Sequence, residues 1–140
     1  MKVVVDTNVL VAGLLSATGP PGWIVEAALC GYIEPVFDMA IRQEYEEVLR
    51  RSELGLTPSR VDDLLAAVDT FGMQVVGAAP WSAGLPDPDD APFLAVAAAT
   101  GSVVVTGNLR HYPPRGRRDV VVLTPRQFVD LVGEPNPPPA

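Results

Sequence analysis

Asp6 directly follows the apolar run Val3-Val4-Val5, and Thr106-Gly107-Asn108 follows Val103-Val104-Val105. Such short β-branched runs read as strands covered on both faces. In an open parallel sheet the ligand crevice lies beyond the carboxyl ends of the strands, so neighbouring strands would aim Asp6 and Asn108 into one place. Glu44 lies on a helical stretch whose apolar stripe is Ile41, Tyr45, Val48 and Leu49. It sits about 40° from Val48, while Glu46 and Glu47 point well away, so it is the glutamate that looks toward the sheet. Asp90, with Asp87 and Asp89 beside it, opens the Ala-rich segment Ala91 to Thr100 and can face the same crevice. Carboxylates gathered in this way repel one another unless a cation neutralises them or they keep their protons. Hard oxygen donors around an open site favour Mg²⁺ or Mn²⁺. An ion so held can polarise a phosphodiester and activate water, with one carboxylate as base. Zinc is disfavoured because one His and one Cys make no usual nitrogen and sulfur site. Each acid also has a local role open to it: Asp90 or Asp89 as a helix N-cap, Asp6 in a turn, Glu44 as a solvated helix residue.

The elements that must position these groups alternate along the chain. Besides the two valine runs, Val120-Val121-Val122-Leu123 reads as a buried strand, Pro35-Val36-Phe37 as a weaker one and Met73 to Val76 as an edge strand. Between them the period turns helical. Pro20-Pro21 opens a helix through Leu29 that stops at Gly31, Asp38 can cap Met39 to Arg51, and Thr57-Pro58 can start a helix ending near Gly72. Gly101 closes the Ala-rich helix, which is apolar on nearly every side and therefore expected against the sheet. Thr124-Pro125-Arg126-Gln127 combines an N-cap, a first-turn proline and a capping-box Gln. This order implies a three-layer α/β/α domain over residues 1–132, with a central parallel sheet of four to five strands. The Pro-rich tail, residues 133–140, is expected to be disordered.

At 140 residues the chain can bury one sizeable core without a staple, and its hydrophobic share of 48% with 6% aromatics suits packed Val, Leu and Ala. Cys30 stands alone in an apolar run and reads as a small core hydrophobe, which fits a reducing compartment. No signal segment or membrane-length run is evident, so a cytoplasmic protein is expected. The net charge of -7 excludes a broad basic nucleic-acid face. Any nucleic acid must be met locally, and four of the nine arginines, Arg110, Arg115, Arg117 and Arg118, follow Asn108 closely. They can grip phosphates by forked hydrogen bonds. Trp23, Trp81 and Tyr112 are candidates for base stacking or for core contacts.

These residues resemble the PIN-domain family in four motifs running in order over residues 1 to about 132. Val5-Asp6-Thr7-Asn8-Val9-Leu10 is similar to the opening motif, Glu44 to Leu49 to the second, Asp87 to Ala97 to the third and Val105 to Tyr112 to the fourth. The resemblance implies a PIN fold, Mg²⁺- or Mn²⁺-dependent endoribonuclease activity, and kinship with VapC-like toxins, small dimers neutralised by a cognate antitoxin. Carried onto this chain it makes Asp6, Glu44 and Asp90 the catalytic and metal-site acids. Asn108 is a further metal candidate, and Asn8, Thr106, Arg110 and Arg115 are substrate-facing. Asn108 stands where many members carry Asp; an amide brings no charge and cannot act as base, which leaves open one metal or two, and Asp87 as a substitute. Two rivals remain: a PIN-like binding module without catalysis, and a phospho-receiver, which needs a late lysine where this chain has only Lys2.

Overall fold

The computed structural model describes residues 1–81 and 84–133. Five strands, β1 (Lys2–Val5), β2 (Glu34–Phe37), β3 (Met73–Gln74), β4 (Val103–Val105) and β5 (Val122–Leu123), form one sheet of order β3-β2-β1-β4-β5. Every neighbouring pair is parallel. Among the described residues, seven α-helices connect or follow them: α1 (Thr7–Leu15), α2 (Gly19–Leu29), α3 (Met39–Leu49), α4 (Pro58–Phe71), α5 (Ala91–Thr100), α6 (Pro114–Arg117) and α7 (Pro125–Val132). The three-layer α/β/α expectation is met, with five strands. The segment expected to be disordered, residues 133–140, lies outside the described residues apart from Gly133.

The strand order reverses between β1 and β4, and that reversal makes the crevice. The register Val5 to Val105 aligns the two carboxyl ends, so Asp6 and Thr106 emerge side by side. α5 is buried against β1, β2 and β4, as its wholly apolar sequence requires, with Phe93, Leu94, Val96 and Ala97 at most 1% exposed. Gly101 ends it with a φ of +64°, a left-handed turn that a side chain would strain. α2 packs against α4 and α7 and crosses α1 tightly: a Cβ on Gly13 would sit 2.4 Å from the Pro21 carbonyl oxygen.

The expected caps form where sequence placed them. Asp38 accepts from the Ile41 N–H at 2.8 Å, and Thr124 and Gln127 make a reciprocal capping box. β5 is shorter than the apolar run, although Val121 still gives its carbonyl to the Val104 N–H. Cys30 corrects its expectation: it is exposed, because it falls one residue past the end of α2, with its thiol directed to the Ala27 carbonyl. No single helix among the described residues is long and apolar enough to cross a membrane.

Candidate active site

Asp6 continues β1 by one residue, its N–H donating to the Val105 carbonyl at 2.9 Å. It stands at the N-cap of α1, yet its carboxylate makes no cap bond. Instead Asp6 Oδ2 accepts from Thr106 Oγ1 at 2.9 Å and from the Tyr112 hydroxyl at 2.9 Å. The Asn108 N–H donates to Thr106 Oγ1 at 3.1 Å, which leaves the threonine proton free to go to Asp6. Asn8 braces the same loop, accepting from the Gly107 N–H at 3.0 Å and offering its amide N–H to Thr106 Oγ1 at 3.5 Å.

One expectation changes here, and of the two readings of Tyr112 the core one holds. Thr106 is 0% exposed and cannot be a substrate contact; it positions Asp6. Tyr112 is equally enclosed and cannot stack on a base. Its burial, with Asp6 and Asp90 nearby, holds the phenol proton firmly by pushing its pKa upward. Tyr112→Phe should therefore lower stability by about 1.5 kcal/mol, the low end for a bond to a carboxylate, since Thr106 still serves Oδ2. Urea unfolding at constant slope measures this, and an unchanged midpoint would show that the bond contributes nothing.

Glu44 is delivered by α3, whose Tyr45 hydroxyl ties the helix to β1 by donating to the Val5 carbonyl. Thr7, next to Asp6, donates its hydroxyl to Glu44 Oε2. Glu46 pairs with Arg42 and Arg50 and Glu47 with Arg51, so of the three glutamates it is Glu44 that turns toward Thr7 and Asp6. Burial raises the Glu44 pKa above the ordinary range; the Thr7 bond opposes this, and the charges of Asp6, Asp89 and Asp87 add to it.

Asp90 is only 7% exposed and, although at the N-cap position of α5, makes no cap bond. Asp87 takes the local turn role, accepting from the Asp89 N–H at 2.9 Å. The capping alternative for Asp90 is thereby removed, and its side chain is free for other work. Burial first, and the Asp6 charge second, push its pKa up to about 7, against an opposing pull from His111. No hydrogen-bond donor among the described residues reaches Asp90 Oδ2. His111 Nδ1 lies 3.3 Å away but is not oriented as a hydrogen bond.

Asn108 uses its side-chain oxygen to accept from the Arg110 N–H at 3.2 Å, capping the short turn Leu109–His111. Arg110 and Arg115 are exposed, and neither makes an ion pair with the acids among the described residues. Trp81 donates to the Gly116 carbonyl at 2.7 Å beneath the Arg118 guanidinium, and Trp23 packs edge-on to Tyr32. A cavity of about 410 Å³, lined in part by Trp81, Ser102, Arg118 and Val121, lies at the opposite ends of β4 and β5, away from the acids.

Sequence reasoning placed His111 near the crevice edge and offered Tyr112 as a stacking or core residue, but it did not find their contacts with the acids. Both lie in the fourth motif, but only the turn after β4 reveals that one reaches Asp90 and the other Asp6.

The three-carboxylate cage expected from positions 6, 44 and 90 is not formed as direct ligands. Among the described residues no three His, Cys, Asp or Glu side chains are grouped closely enough to hold one ion. The donor set still suits a hydrated hard cation, which takes one or two carboxylates and keeps several waters. The uncompensated oxygen of Asp90 and the mutual repulsion of Asp6, Glu44 and Asp90 are what such a cation relieves.

The sequence profile of the PIN domain matches residues 2–110, taking in Asp6, Glu44, Asp90 and Asn108 and stopping short of His111 and Tyr112. No curated protein matches the chain. PIN domains are generally nucleases, and with a profile covering most of its length and the parallel sheet that carries the acids, this protein belongs to the PIN-domain family.

Proposed function

We propose that this PIN-domain protein is a Mg²⁺- or Mn²⁺-dependent endoribonuclease and the toxin of a toxin-antitoxin pair. The observation that carries the reading is the state of the two aspartates. Asp6 and Asp90 both occupy helix N-cap positions and neither caps, so both carboxylates are left for the crevice. Asp6 and Asp90 would hold the cation, with Glu44 and the Asn108 amide at its margin. The bound ion would supply Lewis-acid polarisation of the phosphodiester and a more acidic water. Asp6 is oriented by Thr106 and Tyr112, which both engage Oδ2 rather than Oδ1. Glu44, half-buried with a raised pKa and Thr7 on Oε2, is suited to accept a proton on Oε1. Exposed Arg110 and Arg115 supply local positive charge for RNA on a chain of net charge -7, while Asn8 braces the loop beneath them.

The purified chain should cleave single-stranded RNA with Mg²⁺ or Mn²⁺ and stop when EDTA is added. Intact RNA under every cation would sink the nuclease reading. Tight RNA binding without cleavage would favour the binding-module alternative, which the uncharged Asn108 supports. The toxin role extends to a cytoplasmic homodimer and a protein antitoxin. It requires that expression arrest bacterial growth and that the product of an adjacent reading frame relieve the arrest; unimpaired growth would remove it.

A further inference from the structure

Asp90 Oδ2 combines burial with the lack of any hydrogen-bond donor among the described residues, in a residue 7% exposed. His111 Nδ1 lies 3.3 Å from it. A charged imidazole attracted to a carboxylate closes to a hydrogen bond of about 2.7–2.9 Å. Two ligands of one ion do not bond each other and are held apart by it. With bonds of about 2.1 Å they stand roughly 3.0 Å apart at a right angle and about 3.4 Å apart at the tetrahedral angle. The observed separation falls within that interval.

The backbone fixes the imidazole there. His111 ends the turn that Asn108 caps, and Tyr112, the next residue, is anchored on Asp6. Asp6, Asp90 and His111 are thus tied through one short segment, and the His111 side chain remains 39% exposed, leaving a solvent side for water or a phosphate.

We propose that His111 Nδ1 and Asp90 Oδ2 are ligands of the same divalent ion and that the site therefore prefers Mn²⁺ to Mg²⁺. This rests on the metal-dependent reading above and deepens it. Imidazole suits borderline transition ions, whereas Mg²⁺ prefers oxygen donors and parts reluctantly with water. With Asp6 engaging the ion through a water rather than directly, two direct protein ligands completed by water also agree with the lack of a three-residue cluster among the described residues.

The test uses the full chain with Mn²⁺ or Mg²⁺ alone, by calorimetry and pulsed electron paramagnetic resonance. The expected result is ¹⁴N modulation of a directly bound imidazole on Mn²⁺ in the wild type, lost in His111→Gln. That variant should weaken Mn²⁺ by about tenfold or more while Mg²⁺ affinity stays within about threefold, and Asp90→Asn should weaken both ions. Mn²⁺ bound in an Asp90-dependent way without ¹⁴N coupling, or equal effects of His111→Gln on both ions, would overturn the histidine ligand and leave the metal-dependent nuclease standing. Failure of the wild type to bind either ion would overturn both. The wild-type spectrum needs no variant, so the result does not depend on how well His111→Gln folds.

Discussion

Asp90→Asn is expected to lose RNA cleavage by about a thousandfold, roughly 4 kcal/mol of transition-state stabilisation, and at the same time to make the metal-free protein more stable. The stability gain follows from the direction of the pKa shift. In the folded protein the carboxyl is raised from 3.8 to about 7, chiefly by burial and then by Asp6. Between those values the folded state keeps a proton that the unfolded chain has released, so stability falls as pH rises through the window, and above it the whole penalty is present. An amide of the same shape carries no such penalty. The thermal midpoint of Asp90→Asn should match the wild type near pH 4 and exceed it by several degrees at pH 8. The gain is on the order of 1–2 kcal/mol once solvent screening is allowed for. Added Mn²⁺ should reverse the ranking, because only the wild type has a charge for the ion to neutralise. Thermal melts at the two pH values, with and without Mn²⁺, check all three statements. A variant less stable than the wild type at pH 8 without metal would show that the Asp90 charge is not an uncompensated burden.

Asp6→Asn is expected to lose cleavage to a similar extent, on the order of a thousandfold, with stability little changed. Asparagine is the informative replacement because the neighbours are donors. Thr106 and Tyr112 both give a proton to Asp6 Oδ2, and an amide oxygen can accept both. Asp6→Ala would instead strand two buried hydroxyls, at about 1–3 kcal/mol each, and a loss of activity could then reflect a damaged fold. Single-turnover cleavage of a labelled RNA beside a urea unfolding curve measures both quantities. Undiminished cleavage by Asp6→Asn would remove Asp6 from the site.

Most of the fold was legible because its signals are local. Valine runs, a proline at a helix start and a glycine at its end act within a few residues. The acidic positions were legible for a different reason: parallel topology sends whatever follows each strand to one edge, and helical period singled out Glu44 from Glu46 and Glu47. The exposed Cys30 and the shortened β5 were misjudged because apolar runs do not announce where burial ends.

The sequence by itself determined the order of strands and helices, the acids at 6, 44 and 90, and the local positive charge after Asn108. Tertiary structure alone decided which side chains serve those acids. That Tyr112 and Thr106 converge on one oxygen of Asp6 and that His111 reaches Asp90 depend on the β1 to β4 register and the turn after β4. The physical reason is range: propensity and capping are set by neighbours in the chain, whereas these contacts join residues about a hundred positions apart, or follow from a turn whose geometry is set by packing.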